Sequence, residues 1–444
     1  MPICDFKKTR ARWSFVSKID TLGSLDFWTL TVSLDSLSPS DTRQLSMDDL
    51  LVADTLSMED YERHSKVLPL AVHEYTHFVD ATSTVWGLRH LEMLNKCHDV
   101  PVHDEFQFYI LKNTYDYIRQ IRLPDYYTAV EKNVGSGTPW TSNITSGVMF
   151  NADGSVGDRP IIFVRFWNSN KEPIVRSPIS LVSLLEASAM EREIDCRAKL
   201  LRRLKGDERL VEEKLMTQDV LKYIYNPKLT EYSVCFHLLA NLQDEKDLAT
   251  ISIYVGILSR MVLNAPTIAF STMLKNIGAY ANRYKLDDNH PSLRRMKKSI
   301  EMNSRGAFFY LICLFLPKYA LKNQATFFRS VDASLKQFGL SLDKLRRGAC
   351  AEMQELKSRL SLSSNQSIRE LAKAGLHNFQ IVYPNQLSYP LEKLALPPAL
   401  LGDLTKFNFS KTEENILKDY DLDIGYDNLI PGQIRSENFA EACR

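Results

Sequence analysis

Pro69-Leu70-Ala71-Val72-His73-Glu74-Tyr75-Thr76-His77-Phe78-Val79-Asp80 decides how this chain is read. Apolar Leu70, Val72, Phe78 and Val79 surround two histidines four residues apart, which predicts a helix. Pro69 suits the first turn of that helix, where its missing N–H has no bond to make. On a helix, His73 and His77 share one face a turn apart and can chelate a single Zn²⁺. Glu74, adjacent to the first histidine, can reach a water on the metal without itself ligating. Zinc brings the pKa of such a water to about 7. A glutamate so placed can take its proton and later hand it to a leaving amine.

A catalytic zinc usually has three protein ligands and one open position. The metzincin pattern would place glycine and a third histidine where Asp80 and Ser83 stand, so that class is excluded. No G-T-x-D pattern of an aspzincin follows. The third ligand is instead expected in Ser183-Leu184-Leu185-Glu186-Ala187-Ser188-Ala189-Met190-Glu191-Arg192-Glu193. Glu186 has small and apolar neighbours, and a carboxylate buried there needs a partner. Ala187, Ser188 and Ala189 let this helix approach the motif helix closely. Glu193, on the same face, is an alternative ligand or a partner to one, and His90, His98 and His103 are further alternatives. Asp80 can orient a ligand histidine or be a solvated helix aspartate. An oxyanion donor is sought among Tyr223, Tyr225, Tyr232 and His237, which the sequence does not separate.

On these two motifs the chain resembles the gluzincin metallopeptidases. There HExxH is followed by a glutamate in a pattern similar to N-E-G-x-A. Leu185-Glu186-Ala187-Ser188-Ala189 matches at the glutamate and the last alanine and lacks the asparagine and glycine. The second motif lies more than a hundred residues after the first, against a few tens in typical members. H-E-Y-x-H-F followed by L-E-x-x-A is also similar to uncharacterised bacterial metallopeptidase-like proteins. The resemblance covers at most residues 65–200. It implies a zincin-like core, a zinc ion on His73, His77 and Glu186, Glu74 as general base, and a protein or peptide substrate.

Around the motif the chain is expected to be α+β and predominantly helical. Alternation in Leu25-Asp26-Phe27-Trp28-Thr29-Leu30-Thr31-Val32-Ser33-Leu34 predicts a strand, with 12–19 as hairpin partner. Asp104 to Ile121 reads as a helix. Gly135-Ser136-Gly137, Asp153-Gly154 and Ile161-Ile162-Phe163-Val164-Arg165-Phe166-Trp167 predict a β-hairpin or small sheet inserted near 133–178. Helices are expected at 180–204, 207–225, 248–263, 266–284, 291–317, 326–337 and 341–360. The expected division is a zincin-like domain at 1–225, a helical domain for substrate recognition or regulation at 226–380, and an extended segment at 381–444.

A net charge of +1, with 25% charged and 44% hydrophobic residues, advertises neither nucleic acid nor membrane. Seven scattered cysteines with no C-x-x-C pair, and no apolar core after Met1, lead us to expect a soluble cytoplasmic protein. The apolar stretch Ile251 to Phe270 is interrupted by Arg260, Asn264 and Pro266. No phosphate-binding glycine loop and no nucleophile elbow is present. The basic runs Arg202-Arg203-Leu204-Lys205 and Arg294-Arg295-Met296-Lys297-Lys298 read as solvated helix faces. Two readings compete with an active peptidase. One is a non-catalytic helical scaffold that retains the HExxH helix. The other is a conditionally activated, toxin-like or defence protease.

Overall fold

The computed structural model describes residues 22–101, 104–131, 138–151, 154–383, 389–410 and 412–442. Among these, β1 (Ser24–Leu25) and β2 (Val32–Leu34) precede α1 (Met58–Ser83), α2 (Val85–Asp99) and α3 (Phe108–Ile121). Strands β3 (Ala129–Val130), β4 (Thr141–Phe150), β5 (Val156–Trp167) and β6 (Pro173–Pro178) lead into α4 (Leu181–Leu201) and α5 (Gly206–Ile224). Helices α6 (Thr230–Gln243), α7 (Leu248–Leu263), α8 (Thr267–Lys275), α9 (Gly278–Tyr284) and α10 (Pro291–Glu301) follow. The remainder comprises α11 (Arg305–Phe315), α12 (Gln324–Lys336), α13 (Leu342–Leu360), α14 (Gln366–Val382), β7 (Ala399–Leu401), β8 (Lys406–Phe407) and α15 (Leu422–Ala442). The fold is mixed α+β and mostly helical, as expected.

The chain divides into two compact units, neither continuous in sequence. The first takes residues up to 118, then 189–218, then those from 353 on; the second takes 119–188 and 219–352. The linear division at 225 and 380 does not coincide with either. The boundary at 188/189 falls inside α4.

In the first unit, α1 packs on β1 and β2 of a four-stranded sheet ordered β1-β2-β7-β8. The stretch expected as one strand is a hairpin. The Asp26 carboxylate accepts the backbone N–H groups of Trp28 (2.8 Å) and Thr29 (2.9 Å), and Leu30 adopts φ 55°. This side-chain turn reverses the chain, so the alternation of Trp28, Leu30 and Val32 marks a buried loop and one strand edge. The expected partner at 12–19 lies outside the described residues. Helix α1 begins at Met58, where Ser57 caps it by accepting the Asp60 N–H at 3.1 Å. Pro69 is therefore inside the helix and not in its first turn.

The C-terminal segment is also more regular than expected, since it ends in the 21-residue helix α15. β7 pairs in parallel with β2, with Ser33 opposite Leu400. Leu394, Leu396, Ala399 and Leu401 are all buried, so Pro397 and Pro398 introduce a core strand. The Tyr75 hydroxyl donates to the Pro397 carbonyl (2.7 Å), and the Tyr389 hydroxyl donates to Asp80 Oδ1 (2.7 Å). Both fasten this segment to α1. Helix α14 crosses the end of α1 so closely that a Cβ at Gly375 would collide with the Thr82 carbonyl. Helix α2 carries His90, which stacks on Trp86 (5.4 Å) and Tyr117 (5.8 Å) and bonds the Phe27 carbonyl through Nε2 at 2.7 Å. Burial pushes its pKa down to about 4, against a smaller upward pull from that carbonyl.

The second unit holds an antiparallel sheet ordered β3-β6-β5-β4, so the predicted insertion is a β4–β5 hairpin widened by two strands. The turn signals Gly135-Ser136-Gly137 and Asp153 lie outside the described residues. The segments expected as helices at 266–284 and 291–317 each break in two. The second breaks at Asn303 (φ 56°), after which Ser304 caps α11. Helices α7 and α8 meet at 96°, and among the described residues no single helix is long and apolar enough to cross a membrane. The buried Arg305 guanidinium donates to the carbonyls of Val262 and Ala265 (3.1 Å to the latter), satisfying the end of α7. His237 is another core imidazole, stacked on Trp140 at 4.9 Å and bonded to the Ile224 carbonyl at 2.9 Å. Burial pushes it, too, down to about 4.

The packing and the buried imidazoles each predict a measurable change. Gly375→Ala must separate α14 from α1, at a cost of about 1–3 kcal/mol for an overpacked contact. Thermal unfolding should register it as a drop of a few degrees; an unchanged Tm would contradict the packing. His90 and His237 take up protons near the ordinary 6.5 when unfolded but only near 4 when folded. The unfolded state thus holds more protons in that window, and stability falls as pH drops from about 6.5 to about 4. Denaturant midpoints across that range should decline; a flat profile would rule out neutral core imidazoles.

Candidate metal centre

Helix α1 is buried along most of its length, and the motif lies in its second half. His77 is 2% exposed and Glu74 is 5% exposed, while His73 sits half-buried. Polar groups placed this deep need partners. The two Nε2 atoms of His73 and His77 face each other at 3.2 Å. Two nitrogens bound at 2.0–2.1 Å on a tetrahedral zinc would stand about 3.3 Å apart.

The other ring nitrogen of His73 bonds Glu193 Oε2 at 3.0 Å. An ionised carboxylate can only accept, so Nδ1 of His73 carries the proton and Nε2 presents its lone pair. Burial alone would raise the Glu193 carboxyl. The hydrogen bond from His73, with the Arg197 guanidinium at 2.8 Å, outweighs burial and holds it below the ordinary carboxylate range. Burial, reinforced by the neighbouring His73, pushes His77 well below the ordinary imidazole range. At neutral pH His77 is therefore a neutral donor, and Glu193 an ionised partner to His73.

Glu186 stands on α4, seven residues before Glu193 on the same continuous helix, and is 2% exposed. One ligand atom from each of His73, His77 and Glu186 lies within 4.8 Å of the others. Ala187, Ser188 and Ala189 are fully buried. Glu193 is occupied by His73 and Arg197, the partner role anticipated for it. Arg192 is engaged by Asp195 and by Glu191 (3.8 Å).

The remaining candidates are distributed differently. His90 is a core residue. His98 lies near the end of α2, where burial lowers its pKa, and it is not in the cluster. His103 lies outside the described residues. Asp80 is fully buried and takes the Tyr389 hydroxyl, which excludes a solvated aspartate. His237 is committed to the Ile224 carbonyl, and Tyr223 packs against Tyr232 with ring centroids 6.2 Å apart. Burial holds the Tyr225 phenol above its ordinary range, so it stays protonated.

One neighbour of the motif has no counterpart in the sequence patterns. A Cβ at Gly23 would lie 3.1 Å from Glu74 Cγ and 3.2 Å from its Oε1. Glycine there lets the backbone entering β1 run alongside the motif glutamate. An isolated glycine just before a strand is the signal that could have marked this close approach.

No family model matches the chain, and neither a curated protein nor a solved structure shows significant similarity to it.

Proposed function

We propose that the chain is a zinc-dependent hydrolase, a gluzincin-like peptidase acting on an intracellular protein or peptide. The reading rests on the convergence of ligand atoms from His73, His77 and Glu186 within 4.8 Å of one another. Two imidazoles and one carboxylate form the donor set of a catalytic zinc with an open position. Bound there, zinc supplies Lewis acidity and a water acidified to near neutrality.

The chain's own residues supply the rest. Glu193 fixes the tautomer and ring orientation of His73, and the electron density it lends makes Nε2 a better donor. Glu74 follows His73 directly and is kept out of the ligand set by its place on the helix. It serves as the proton carrier, base first and acid afterwards. Gly23 keeps the space beside its carboxylate clear. The low exposure of Glu74 and His77 limits bulk water and strengthens each electrostatic contact. Peptide as the substrate class comes from the resemblance to gluzincins.

Metal content by elemental mass spectrometry is the first test. We expect about one zinc per chain in the wild type and none in His73→Ala or Glu186→Ala. Glu193→Ala should still bind one zinc, with affinity weakened about 10–100-fold, as for other partners of ligand histidines. Metal-free wild-type protein after reconstitution with zinc would sink the proposal. Glu74→Gln should retain the metal and lose peptide hydrolysis by at least about 10²-fold. Full activity in that variant would remove Glu74 from the chemistry.

A further inference from the structure

The basic run on α10 is left unused by the proposed hydrolase. It lies in the second unit, where α10 packs against strands β4 and β5. Between them is a cleft of about 40 Å³, room for about three waters. Arg295 lines it, with Ser299 and Tyr280 alongside, above an apolar floor that includes Ile161 and Met296. Arg295 is braced by donating one Nη to the Ser146 carbonyl (2.9 Å) and hydroxyl (3.3 Å). That leaves its other guanidinium N–H groups for a ligand.

Ser299 is 2% exposed and Tyr280 is 6% exposed. Neither hydroxyl has a hydrogen-bond partner among the described residues, and both residues line the cleft. Both residues thus line the cleft with hydroxyl donors that no protein acceptor occupies, which suits a ligand that accepts hydrogen bonds. Its charge has one sign: Arg295 is the only ionisable cation or acid among the lining residues. The nearby lysines of α10 are held at the surface, Lys297 by Asp288 and Lys298 by Glu301. Ser292, at the positive end of this 11-residue helix, also lines the cleft.

We propose that this cleft binds a small tetrahedral oxyanion, a phosphate free or carried on a small metabolite, held by Arg295, Ser299 and Tyr280. A guanidinium suits phosphate through paired donors, and the two hydroxyls complete the donor set. Burial, with Tyr284 beside it, raises the Tyr280 phenol to about 12, so it donates and never competes as an anion. The space admits one such group, which favours a small ligand over the backbone of a nucleic acid.

The test is isothermal titration of the full chain with inorganic phosphate, glycerol phosphate and a short single-stranded DNA at constant ionic strength. Saturable binding of phosphate is expected, weakened at least about tenfold in Arg295→Gln, since bonds to charged groups are the stronger ones. Tyr280→Phe keeps the ring volume and should weaken binding several-fold even if Arg295→Gln fails to fold. Tighter glycerol phosphate than inorganic phosphate would identify a monoester as the source; the reverse would identify the free ion. No saturable phosphate heat overturns the proposal. So does phosphate binding that is unchanged in Tyr280→Phe, or DNA binding without phosphate binding.

Discussion

The hydrogen bond between His73 Nδ1 and Glu193 Oε2 joins two helices through residues 120 positions apart in sequence. It decides which nitrogen of His73 is bare, and so whether His73 and His77 can act together. Isolated, an imidazole exchanges tautomers freely. Here a carboxylate anchored by Arg197 removes that freedom. Glu193 and Glu186 stand seven residues apart on α4, so the bond ties to the motif the same helix that carries Glu186.

Burial raises the cost of every polar group in this arrangement. Glu74, His77, Asp80 and Glu186 are all nearly inaccessible. Each would be destabilising if left to itself. The fold answers part of this cost locally: Asp80 takes the Tyr389 hydroxyl, and the neighbouring His73 takes Glu193. Elsewhere the same physics gives the opposite result. His90 and His237 are buried among aromatic rings and bonded to backbone carbonyls. They are packing residues that happen to be imidazoles.

The candidate site was legible in the sequence because it is made of short-range patterns. Helical spacing alone put His73 beside His77, and the small residues after Glu186 indicated a closely packed helix. Glu193 followed from its place two turns along the same face. What the sequence hid depends on partners far along the chain or on single side chains. The turn at Asp26 is made by a carboxylate caught by two backbone N–H groups, and alternation cannot see it. Pro69 looked like a helix start because the polar stretch before it gave no sign that Ser57 was the cap. β7 is three residues long and follows two prolines, so only its pairing with β2 makes it a strand. Helix α6 is buried on nearly every side, which erases the periodicity that would announce it.

The bond from Tyr75 to Pro397 spans 322 residues, and the parallel pairing of β2 with β7 spans a similar distance. During synthesis the motif helix emerges early, but the strand and carbonyl that seat it emerge only after the whole second unit has been made. Long-range pairing of this kind is slow to form. A nascent chain therefore carries its histidines long before the surroundings that bury them exist. Arrival of the segment around 397–401, rather than formation of the helix, sets the moment at which the motif helix can be seated.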